Sequence, residues 1–98
     1  MKDFEVTPES LADLLEIWDF IAQDSFEVAD RVLDEFNQAF RLLAKMPGLG
    51  HLREDLTNRK LFFWAVRSYL VIYRKSDPLL VVAVLHGKRN VKKVLKGR

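Results

Sequence analysis

The 98-residue chain has no cysteine, which removes disulfide frameworks, thiolate zinc sites and cysteine nucleophiles together. It also lacks any apolar run near the roughly 20 residues that span a bilayer. Its opening, MKDFEVTPES, carries acids where a secretory signal would carry an apolar stretch. The expectation is a cytoplasmic protein without membrane partners. No glycine-rich phosphate loop is present, because Gly48-Leu49-Gly50 has neither the lysine nor the preceding strand that such a loop requires. The two histidines, His51 and His86, are isolated from each other, and the acids sit at spacings typical of solvated helix faces. No metal and no cofactor are expected.

Against these absences stand 49% hydrophobic and 31% charged residues, an ordinary globular composition that excludes disorder. Seven Phe and two Trp supply bulk for one core, and the length fits a single domain over residues 1–98. The net charge of +2 hides a division. Residues 1–50 hold four Lys/Arg (Lys2, Arg31, Arg41, Lys45) against eleven Asp/Glu, a balance of −7; residues 51–98 hold twelve against three, a balance of +9. Such segregation suggests an acidic helical face and a basic face able to meet an anionic partner, unless the halves neutralise each other on folding.

Phe4 to Val6 reads as a short strand, and Thr7-Pro8 then offers a hydroxyl cap with proline at the first helical position. Leu11, Leu14, Leu15, Trp18, Ile21 and Ala22 recur at helical spacing, with Asp13, Glu16 and Asp19 assigned to the water side. Ser25 caps a second helix with the apolar set Ala29, Val32, Leu33, Phe36, Phe40 and Leu43, which ends at Met46-Pro47-Gly48. The link from Gln23 to Ser25 is short enough to force an antiparallel helical hairpin. Glycines 48 and 50 are read as backbone positions that other residues avoid. Lys60 to Val66, Tyr69 to Tyr73 and Leu79 to Leu85 read as three strands in a meander; the last has no polar alternation and is expected to be the central strand, covered on both faces. The tail from Asn90 to Gly97 suits a helix of about two turns, too short to stand without docking. The predicted architecture is α+β, a helical hairpin packed on a mainly antiparallel sheet, in the order β-α-α-β-β-β with a short C-terminal helix.

Ser10 and Ser25 lie at helix starts, where capping explains them better than catalysis. The constellation with chemical content is Arg53, Arg59, Lys60, Arg67, Arg74, His86, Lys88 and Arg89. Arginine forks match phosphate geometry, and Phe63, Trp64, Tyr69 or Tyr73 could stack on bases. RNA cleavage through the ribose hydroxyl needs a base, an acid and cations for the phosphorane, which His86 with Arg67, Arg74 and Arg89 could supply. The competing reading makes the aromatics core and the arginines a solvated surface.

Phe4-Glu5-Val6-Thr7-Pro8, then Leu11-Ala12-Asp13-Leu14 and Ile17, resemble the opening of the ParE/RelE superfamily of bacterial toxins from type II toxin-antitoxin modules. The resemblance continues through Ala29, the Leu42 to Gly50 segment, Arg53-Glu54-Asp55-Leu56, Tyr69 to Arg74 and His86-Gly87-Lys88-Arg89. It implies a small toxin neutralised by a cognate antitoxin. RelE-like members cut messenger RNA on the ribosome with basic residues and a tyrosine or histidine near the C-terminus; ParE-like members lack that set and poison DNA gyrase. No tyrosine follows Tyr73 here, which favours the ParE-like branch, a plasmid-stabilisation type of toxin without bond chemistry of its own. The expected target-binding residues are Lys88, Arg89, Lys92, Lys93 and Lys96, and Trp18 and Phe40 are candidate antitoxin anchors. The alternatives are a RelE-like endoribonuclease using Arg67, Arg74, His86 and Arg89, or a non-toxic relic that only binds its antitoxin.

Overall fold

The structure, a computed structural model, describes residues 3–98, so Lys2 of the acidic half lies outside the described residues. The chain runs β1 (Phe4–Val6), α1 (Pro8–Ala22), α2 (Phe26–Lys45), a 3-10 turn (Pro47–Leu49), β2 (His51–Leu52), β3 (Phe62–Val66), β4 (Tyr69–Arg74), β5 (Leu79–His86) and α3 (Val91–Lys96). The sheet order is β1-β5-β4-β3-β2. Three pairings are antiparallel, and β1 joins β5 in parallel, with Phe4 opposite Leu79 and Val6 opposite Val81. The α+β architecture and its element order match the expectation, with β2 added; two exposed residues give too short a period to read from sequence.

Thr7 caps α1 by accepting the Ser10 N–H at 3.1 Å, and Ser25 caps α2 by accepting the Val28 N–H at 3.2 Å. The α2 stripe of Ala29, Val32, Phe36, Phe40 and Leu43 is buried against one sheet face, where Val71, Tyr73, Val81 and Val84 complete the core. Leu61, Phe63, Ile72, Val82, Ala83 and Leu85 face the other way and are covered by Val91 and Leu95 of α3. β5 is therefore buried on both faces, as its unbroken apolar run implies, while the middle position in the sheet belongs to β4. A register shift at Ile72/Tyr73 leaves Val82 without a partner on β4, so two successive residues, Val82 and Ala83, join the α3 side.

Helix α1 departs from its expected orientation. Leu11 and Leu15 are 51% and 58% exposed, whereas Ser10 and Asp13 are buried at 0% and 4%. The reason lies in β5. Strand β1 pairs it only as far as Val81, so the edge beyond carries backbone groups that need partners. Ser10 Oγ donates to the Val81 carbonyl at 2.9 Å, and Asp13 Oδ2 accepts the Val84 N–H at 3.0 Å. Arg98 then closes on Asp13, with Nη2 2.8 Å from Oδ1 and Nη1 against Oδ2, and Nη1 also reaches the Val82 carbonyl at 3.3 Å. The Asp13 carboxylate beside it holds the Arg98 guanidinium above its ordinary value.

Neither glycine of the Gly48-Leu49-Gly50 segment adopts positive φ. Gly50 is required by close packing instead: its N–H donates to Tyr73 Oη at 2.9 Å, and a Cβ there would collide with the phenol. The Tyr73 hydroxyl donates in turn to the Pro47 carbonyl at 2.6 Å, which fastens the segment after α2 to β4.

Candidate macromolecule-binding surfaces

The C-terminal segment is local in sequence and held in place by long-range contacts. Asn90 caps α3 by accepting the Lys93 N–H at 3.1 Å, Val91 and Leu95 are buried, and Arg59 Nη1 donates to the Leu95 carbonyl at 3.1 Å. With those two apolar residues docked, Lys92, Lys93 and Lys96 fall within about 100° of arc on the solvent side. Lys88, Arg89, Lys92, Lys93 and Lys96 are all exposed, and none takes part in the ion pairs found among the described residues. Lys92, Lys93 and Lys96 thus share one side of α3, with Lys92 and Lys96 on a groove beside Arg59, while Arg89 in the preceding turn borders a separate cavity with Asp13 and Glu16 of α1.

Of the four residues of the ribonuclease alternative, Arg67, His86 and Arg89 lie toward one end of the sheet, where the Ser68 carbonyl accepts the Gly87 N–H at 2.9 Å, and Arg74 lies at the other. His86 and Arg89 border a cavity of about 240 Å³ beside Glu16, Phe20 and Tyr69. His86 packs edge-on against Tyr69 at 5.4 Å, and its Nδ1 accepts the Lys88 N–H at 3.1 Å, which leaves Nε2 to carry the proton of the neutral ring. Arg67 opens the two-residue β3-β4 turn at φ 55, a conformation usually left to Gly or Asn. Its guanidinium is engaged by Glu35 of α2 through bonds of 2.7 and 2.6 Å. The same fork holds the Glu35 carboxyl below its ordinary value. Arg74 lies opposite Leu80 while Tyr69 lies opposite His86; five residue steps along β4 separate the two ends, about 16 Å. Arg74 and His86 therefore cannot serve one phosphate.

On the helical hairpin, Trp18 is half-buried, stacks on Phe26 at 5.6 Å and donates from Nε1 to Asp30 at 2.9 Å. Phe40 is fully buried between Phe4 and Phe36 and offers no surface to a partner, because it belongs to the inward stripe of α2. The aromatic residues that do reach solvent are Phe20 and Phe26, 70% and 68% exposed. Sequence reading passed over both. Phe20 falls outside the apolar set of α1, which is a sequence signal for exposure, whereas Phe26 lies three residues before Ala29 on the α2 stripe and no periodicity marks it as exposed. Leu11, Leu15 and Trp18 line the same flank of α1 at that spacing, and the Trp18–Phe26 stack extends the flank to α2.

A family model described as the ParE toxin of the type II toxin-antitoxin system parDE matches residues 4–91. The chain belongs to the ParE toxin family. The match covers the hairpin, the whole sheet and the first residue of α3. Among solved structures, a chain of the chromosomal ParDE toxin-antitoxin system from P. aeruginosa is similar in fold, with a TM-score of 0.70 at 15% identity over 85% of this chain and 92% of that one. No curated protein sequence matches. Membership of the ParE family agrees with the resemblance read from Phe4-Glu5-Val6-Thr7-Pro8 onward. Among the described residues, no helix is long and apolar enough to cross a membrane, and no group of His, Asp and Glu could hold a metal ion.

Proposed function

We propose that this ParE-family chain is a toxin that acts on DNA gyrase by occupancy, and that a cognate antitoxin neutralises it by covering the helical hairpin. The reading is carried by the exposed set Lys88, Arg89, Lys92, Lys93 and Lys96, presented on a segment that Val91, Leu95 and Asn90 hold rigid. Docking of α3 sets the places from which Lys92, Lys93 and Lys96 emerge before the partner arrives, which lowers the cost of binding. On the opposite side, Leu11, Leu15, Trp18 and Phe26 give an ordering antitoxin segment apolar anchors amid acidic residues.

The deciding experiment is a gyrase supercoiling assay with purified toxin. Inhibition that disappears when the five cations are replaced by alanine, and persists in Arg67→Ala, Arg74→Ala and His86→Ala variants, supports the reading. Unchanged supercoiling at high molar excess refutes it. A second reading draws on the cavity shared by His86 and Arg89, which makes the chain a messenger-RNA endoribonuclease on the ribosome. Expression without antitoxin separates the two: filamentation with a DNA-damage response supports gyrase, transcript cleavage supports the ribonuclease, and normal growth indicates a relic.

A further inference from the structure

We infer that the α3 face is a binding site for the phosphate backbone of duplex DNA, with no dependence on base sequence. This goes beyond the gyrase reading and does not rest on it. The segment from Lys88 to Arg98 contains six Lys/Arg and no acid. One of the six, Arg98, is neutralised by Asp13; the other five are exposed and outside every ion pair found among the described residues. Two of them, Lys92 and Lys96, border an open groove of about 420 Å³ with Thr57, Arg59, Glu54 and Asp55, while Arg89 borders a second cavity beside Asp13 and Glu16. Asp55 is occupied by Arg53 through bonds of 2.9 and 2.8 Å, so Glu54 is the rim acid without an ion pair there.

Three features select the ligand class. The acids gather on the helical layer, so the molecule is strongly dipolar and a polyanion is steered to the α3 side even though the net charge is only +2. A duplex presents one charge per about 1.7 Å of its axis, so a cationic patch of this length always meets several phosphates whatever its register. Finally, no aromatic side chain borders the groove. Single-stranded nucleic acid is held largely by stacking on exposed rings, and this groove has none to offer; the exposed ring of Phe20 lies apart from it, on the cavity that Arg89 borders.

The test is fluorescence anisotropy of the purified chain with a short labelled DNA duplex over a salt series, in the absence of gyrase. With three to five phosphates neutralised, the plot of log Kobs against log salt has a slope between about −2.7 and −4.5, at about −0.9 per phosphate. Affinity then falls roughly 40- to 500-fold for a fourfold rise in salt. The triple variant Lys92→Ala/Lys93→Ala/Lys96→Ala, at exposed positions, flattens the slope by about 2.7, with circular dichroism checking the fold. A charge-matched control, Arg31→Ala/Arg41→Ala/Lys45→Ala, leaves the slope within one unit. No binding at low salt, equal loss in the control, or tighter binding of a single-stranded RNA of equal length overturns the proposal. Because gyrase is absent, failure here leaves the supercoiling result standing, and the converse also holds.

Discussion

Replacing Arg98 with alanine tests the account of β5's unpaired edge most directly. In the folded chain Asp13 is 4% exposed and accepts three hydrogen bonds, one from the Val84 N–H and two from the Arg98 guanidinium. Removing the guanidinium leaves a buried carboxylate with one backbone donor and no opposite charge. Loss of one partner from a buried pair costs about 3–5 kcal/mol when the site stays dry. The Arg98 side chain is 15% exposed, so its removal admits water, and the expected loss is about 2–3 kcal/mol. For a domain of this size that lowers Tm by roughly 8–24 °C. Urea unfolding at neutral pH reads the change as a lower midpoint at constant m. The decisive arm is the double variant Asp13→Asn/Arg98→Ala. An amide can still accept the Val84 N–H without needing a counter-charge, so the two replacements together should cost at least about 1 kcal/mol less than their sum. Strict additivity, or an Arg98→Ala variant within about 0.5 kcal/mol of the parent, would refute the view that Arg98 neutralises the group that caps β5.

Glu35→Gln should show its penalty only where Glu35 is ionised. The Arg67 fork lowers the Glu35 carboxyl below its ordinary 4.5, so its contribution is complete above that value and is lost as pH falls through the lower folded one; unfolding curves of parent and variant should converge in acid. Gly50→Ala should destabilise by about 1–3 kcal/mol, because its Cβ meets the Tyr73 phenol and one of them must move. Tyr73→Phe should cost about 1–2 kcal/mol through the lost bonds to Gly50 and Pro47, both read by thermal melts. Trp18→Ala and Phe26→Ala should weaken antitoxin binding at least about tenfold while Phe20→Ala does not; calorimetric titration with the purified antitoxin checks this, and equal effects at all three would remove the Trp18–Phe26 flank as the docking surface.

Helix α2 was readable because its inner stripe is wholly apolar, and β5 because its run has no polar interruption. Helix α1 was misread for a physical reason. Hydrophobic periodicity counts side chains that avoid water, but the inner face of α1 includes Ser10 and Asp13, whose task is to satisfy backbone groups of β5. That need arises only because β1 stops pairing at Val81, which no local pattern records. The basic segment from Lys88 to Lys96 was legible since its charges are consecutive in sequence. Phe40 is packed, as its place within the apolar stripe of α2 implies, and the rings left at the surface are Phe20, outside the α1 set, and Phe26, which continues the α2 stripe yet stays exposed. Arg98 gave no warning, since a lone cation at the end of a basic tail looks the same whether it is solvated or locked to a carboxylate.

The parallel docking of β1 on β5 also dictates when this molecule can become whole. Phe4 must wait for Leu79, and Asp13 for Arg98, so the pairings that seal the sheet join stretches far apart in the sequence. Such distant closures are slow compared with the neighbouring α1-α2 contact. A chain still emerging from the ribosome can hold its helical hairpin but not its finished sheet or its seated α3. Until those closures form, the segment from Lys88 to Lys96 has no finished sheet face on which Val91 and Leu95 can dock.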